Sequence, residues 1–71
     1  MEKLTTKQEL ILQIIKKWIA NYGYPPTVRE IGEKAHLNSP ATIHFHLTKL
    51  EEKGYIHKGN GKNRTIELSL I

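Results

Sequence analysis

The side chains of this sequence that could do acid–base or metal chemistry are four histidines and seven glutamates; it has no aspartate and no cysteine. A metal site on a helix needs ligands three or four residues apart, so that they share a face. His44 and His46 are two apart and diverge by about 200° around a helix, no thiolate supports them, and His36 and His57 stand alone in the sequence. The glutamates are spread over helical segments, and Glu51-Glu52 reads as a solvated pair. No serine or lysine has a base beside it in a catalytic pattern, and no glycine-rich phosphate loop occurs. The expectation is a chain without a catalytic centre, metal or cofactor. What the histidines do have is a phenylalanine between them, in "SPATIHFHLTKLEEKGYI", residues 39 to 56.

Read as a helix at about 100° per residue, this stretch puts Ile43, Leu47 and Leu50 on one side, with His46 at its edge. The opposite side carries Ala41, Phe45, Thr48 and Glu52, flanked by Thr42, His44 and Lys49, with Ser39 at the entry. An isolated exposed aromatic needs no explanation, but these neighbours suit the edges of bases. Hydroxyls and His44 can hydrogen-bond base edges, Ala41 and Phe45 can meet thymine methyls, and Lys49 can reach guanine or a phosphate. The expected base-reading set is therefore Ser39, Ala41, Thr42, His44, Phe45, Thr48 and Lys49.

Such a helix must be positioned by others. Thr5 or Thr6 can cap a first helix, with Gln8 or Glu9 completing a capping box, and Ile11, Ile15, Trp18, Ile19 and Tyr22 repeat at helical spacing as its inward stripe. Trp18 is expected in the core. Gly23 ends the helix, and "YPPT" forces an extended connection, because each proline restricts the residue before it. Thr27 then caps a short second helix with Glu30 as its box partner, Val28, Ile31 and Ala35 face inward with Leu37 in the turn, and Gly32 predicts a close helix crossing. Ser39-Pro40 starts the third helix, since proline at the first helical position loses nothing. After Gly54, "YIHKGNGKNRTIEL" reads as a two-stranded hairpin with a polar, basic tip. The expected fold is mainly α with a small β-hairpin: helices at about 6–22, 28–35 and 40–53 and a wing at about 55–69, a winged helix-turn-helix in a single domain. The third helix, about 20 Å long, fits the major groove of B-DNA.

Composition and charge agree with one small folded domain. With 38% hydrophobic and 25% charged residues the 71-residue chain is neither disordered nor membrane-spanning in character, and its N-terminus lacks the apolar stretch of a signal peptide, which points to the cytoplasm. The net charge of +4 is unevenly placed: no acid occurs from Lys53 to Ile66, while Lys53, Lys58, Lys62 and Arg64 do. These four, with Thr27 at the second helix, are the expected contacts to a nucleic-acid backbone. The apolar stripes are used in one core, so the isolated chain is expected to be a monomer.

The residues Leu4-Thr5, Gln8, Ile15, Gly23, Pro25-Pro26-Thr27, Glu30-Ile31, Ser39, His46-Leu47, Leu50 and Lys53-Gly54 resemble, in unbroken register, the N-terminal DNA-binding domain of the LexA repressors. The resemblance implies a repressor of DNA-damage (SOS response) genes that binds a palindromic operator as a homodimer. It also implies, in a full-length repressor, a C-terminal self-cleaving serine/lysine peptidase; the 71 residues suit either a domain of such a protein or a stand-alone relative. Two departures matter. The family carries glycine where His36 stands, which predicts a strained exit from the second helix. Residues 41 to 45 vary within the family, and "ATIHF" is nearer the Gram-positive-type versions, so the resemblance does not carry an operator sequence with it. The competing class is a winged-helix protein-interaction module without a DNA role, which would call for an acidic or apolar outer face and a short neutral wing. An RNA-binding role would call for exposed aromatics on the hairpin to stack bases.

Overall fold

The structure is a computed structural model that describes residues 3–57 and 66–68. Three helices, α1 (Thr6–Tyr22), α2 (Val28–Ala35) and α3 (Pro40–Glu52), are followed by two short strands, β1 (Ile56–His57) and β2 (Glu67–Leu68). The strands pair antiparallel, Ile56 with Leu68 and His57 with Glu67. This is the expected helix-turn-helix with a hairpin behind it.

Each helix starts where its capping residues dictate. Thr5 caps α1: its hydroxyl accepts from the Gln8 amide at 3.2 Å, and its own amide donates to Gln8 Oε1 at 3.1 Å. Thr27 and Glu30 close the same box on α2 at 3.1 and 2.9 Å. Ser39 caps α3, accepting from the Thr42 amide at 3.4 Å, with Pro40 next. At the other end of α3 the chain turns through Gly54, at φ +86°. The Tyr55 amide donates to Leu50 O and the Gly54 amide to Glu51 O, so these two carbonyls are satisfied and the chain is aimed into β1.

The core is formed by Ile11, Leu12 and Ile15 of α1, Ile31 of α2, Ile43, Leu47 and Leu50 of α3, and Ile56 and Ile66 of the hairpin. It corrects part of the expected α1 stripe. The inward side runs Gln8, Ile11, Leu12, Ile15, so Leu12 is core, Trp18 and Ile19 are half-buried and Tyr22 is 53% exposed. Toward its end α1 is covered only in part: Ile19 still packs against the core from its edge, while Tyr22 lies outside it. There the Tyr22 ring lies tilted against Trp18 and stacks on Tyr24, with ring centroids 4.7 and 5.9 Å apart.

The turn between α2 and α3 sets the relation of the two helices. A Cβ on Gly32 would meet α3 only in ordinary contact, 3.9 Å from Ile43 Cγ1, so the helix crossing that the sequence suggested is not what calls for glycine. What approaches it is the turn itself, where a Cβ on Gly32 would lie 2.8 Å from the Leu37 carbonyl oxygen. The Leu37 amide donates back to Gly32 O at 2.9 Å. His36, which ends α2, lies in the left-handed region at φ +58°, ψ +39°, the strained exit that the sequence predicted. A side chain there costs about 1–2 kcal/mol per residue, partly offset by the greater freedom of glycine in the unfolded chain. His36→Gly is accordingly expected to stabilise the domain by about 0.5–1 kcal/mol, at roughly 4–8 °C in Tm per kcal/mol. A thermal melt checks it, and an unchanged or lower Tm would show that His36 makes compensating contacts.

Candidate nucleic-acid interface

The interface is built on α3. Its inner side is fixed by the core, with Ile43, Leu47 and Leu50 at 1% exposure or less. That pins the rotation of the helix and decides what faces outward. Ser39, Ala41, His44, Phe45 and Glu52 are exposed, while Thr42, His46, Thr48 and Lys49 are half-buried along the flanks. Phe45 is 57% exposed, the most exposed of the large apolar side chains among the described residues. The seven residues expected to read bases thus all lie on α3 or its cap with some surface accessible.

The outer side is organised rather than merely polar. The Lys49 ammonium sits over the Phe45 ring, 5.5 Å from its centroid, and 3.5 Å from Glu52 Oε1. The His46 ring meets Phe45 edge-on at 5.6 Å. Phe45, Lys49 and Glu52 follow at four- and three-residue spacing, which lines them up on one strip of the helix. An aromatic ring, a cation and hydroxyls held on a rigid cylinder can contact methyl groups, base acceptors and phosphate oxygens.

The expected backbone contacts fare differently. The Thr27 hydroxyl is used as a cap acceptor, which leaves its hydrogen available to donate. Lys53 is turned away from the outer side of α3. Its ammonium donates to the Lys3 carbonyl at 3.0 Å and to Gln8 Oε1 at 2.7 Å, so it ties the end of α3 to the start of α1. Gln8, itself 5% exposed, holds that junction through both Thr5 and Lys53. Lys53→Met is expected to lower stability by about 1–2 kcal/mol, the range for losing charged hydrogen bonds at a partly exposed site. The salt dependence of any DNA binding should stay the same; a shallower dependence with unchanged stability would return Lys53 to the phosphate contacts. Lys58, Lys62 and Arg64 lie outside the described residues.

Arg29 was not among the expected contacts, yet it stands at the edge of this surface. Its side chain is 90% exposed and only loosely paired with Glu33, at 4.0 Å. It lines, with Gly32, His36, Asn38, Pro40 and His44, an open groove between α2 and α3. Its place in the first turn of a helix carrying Thr27 as cap was the available signal.

Among the described residues no helix is long and apolar enough to cross a membrane. Residues 1–65 match the family model described as LexA DNA binding domain. The chain is 52% identical over 66 residues to the LexA repressor of Desulfatibacillum aliphaticivorans, covering 93% of this chain and 32% of that protein. It is 55% identical over 67 residues to the LexA repressor of Caldicellulosiruptor saccharolyticus, covering 94% and 33%. With the LexA repressor of Bacillus mycoides the identity is 53% over 68 residues, covering 96% and 33%. The chain therefore spans about a third of the length of these relatives. With the three helices, the hairpin and the register of α3 all in place, this chain belongs to the LexA DNA-binding-domain family.

Proposed function

We propose that this chain binds double-stranded DNA sequence-specifically as the operator-reading part of a LexA-type transcriptional repressor. The observation that carries the reading is the two-sidedness of α3. Its inner residues are buried to 1% or less, while Phe45, at the centre of the other side, is 57% exposed beside Lys49, two threonines and His44. Helix α3 enters the major groove, and Ser39, Ala41, Thr42, His44, Phe45, Thr48 and Lys49 meet base edges. Thr27 and Arg29 at the start of α2, with Lys58, Lys62 and Arg64 of the wing, lie along the phosphates, which fix register without reading sequence. By its kinship the whole repressor pairs two such domains on a palindromic operator, acts in the cytoplasm and controls DNA-damage genes. The isolated domain binds one half-site as a monomer, and tethering two copies gains by effective concentration.

Arg29, Lys58, Lys62 and Arg64 supply about four phosphate neutralisations, so log K against log salt concentration is expected to slope by about −3.6. Titration of a labelled duplex at several salt concentrations checks this. A flat dependence would contradict a DNA role.

A further inference from the structure

Glu52 is an acid on the outer strip of a helix assigned to a polyanion. Its carboxylate lies 3.5 Å from the Lys49 ammonium, with the two side chains 59% and 41% exposed. An exposed pair of this kind contributes little to folding, so the stability of the domain does not account for its position. Its effect on Lys49 does. Lysine is a point charge on a flexible stem, and a free ammonium here would take a phosphate oxygen as readily as a base acceptor. Two neighbours restrict it: the Phe45 ring, whose centroid is 5.5 Å from the ammonium, and the Glu52 carboxylate one turn further on. Specificity is commonly obtained by an element that disfavours the unwanted mode of binding, here the capture of Lys49 by a phosphate.

We propose that Glu52 is a specificity-determining positioning residue. It holds the Lys49 ammonium over the Phe45 ring and away from the phosphate chain, so that Lys49 serves base reading and not sequence-blind attraction. This rests on the DNA-binding role proposed above. Glu52→Gln removes the charge with little change of shape. It should tighten binding to a scrambled duplex, steepen the salt slope on that duplex by about 0.9, and so enlarge the affinity loss between roughly 50 and 200 mM salt by about 3.5-fold. The ratio of affinities for selected and scrambled duplexes should fall.

The experiment compares four proteins, wild type, Glu52→Gln, Lys49→Met and the double variant, on a duplex selected from a random pool and on its scrambled version across salt. Thermal melts show that all four are folded. If Glu52 acts through Lys49, then in the Lys49→Met background Glu52→Gln leaves slope and ratio unchanged. Equal tightening on both duplexes, or the same change with and without Lys49, would overturn the proposal and leave Glu52 a general repulsive charge. Wild type that binds neither duplex would remove the DNA-binding role itself, whereas wild type that discriminates while Glu52→Gln discriminates equally well would remove only the role of Glu52.

Discussion

Gly32→Ala is expected to destabilise the domain by about 1–2 kcal/mol, although alanine is the better helix former. Helix propensity alone would favour alanine by about 0.5–1 kcal/mol. Against it stands a Cβ placed 2.8 Å from the Leu37 carbonyl oxygen. That atom is backbone, so no side-chain rotation relieves the contact, and the turn between α2 and α3 must move. Forcing extra atoms into a packed site costs typically about 1–3 kcal/mol, which outweighs the propensity term. The turn leads directly into the Ser39 cap, so its displacement also shifts α3 on α2 and should weaken duplex binding. Thermal melts and a binding titration of the variant check both effects. Because the two energies have opposite sign, a raised Tm would show that the turn yields freely.

The elements that the sequence marks locally are where it placed them. The caps at Thr5, Thr27 and Ser39 bond amides within three residues, so their signal is complete in a short window. The rotation of α3 was also legible, because Ile43, Leu47 and Leu50 leave only one side to bury. The α1 stripe was legible only in its first half, where Ile11 and Ile15 are core. A helical repeat gives several possible edges, and which one is covered depends on how the other helices pack against it, a tertiary fact that put Leu12 in and Tyr22 out. Lys53 shows the same limit more sharply. Its charge invited a phosphate contact, and nothing local indicates that its ammonium would bond the carbonyl of Lys3, fifty residues away. The Phe45, Lys49, Glu52 strip was readable from its spacing, but its electrostatic sense depends on the side-chain distances.

Phe45→Ala is the second large effect, and it falls on binding. Phe45 is 57% exposed, so folding should lose little beyond its contacts with the Lys49 ammonium and the His46 ring, of which an exposed cation–π pair contributes about 0.5–1 kcal/mol. A buried phenylalanine truncated to alanine would cost about 3–5 kcal/mol. Duplex affinity should fall by about 1–3 kcal/mol, the usual cost of losing one base-pair contact, and the loss should be confined to one position of the site. A loss spread evenly over all duplexes would instead mark Phe45 as supporting the shape of the helix.

The measurement that bears most directly on base reading by the outer side of α3 replaces thymines in the selected duplex by uracil, one at a time. The change removes a methyl group and nothing else. Wild type should lose affinity at one thymine, and Phe45→Ala, already lacking the ring, should bind the thymine and uracil versions of that site equally. If wild type is indifferent to every uracil, or if Phe45→Ala keeps the full preference for thymine, then Phe45 does not touch a base methyl and the outer side of α3 does not read bases through it.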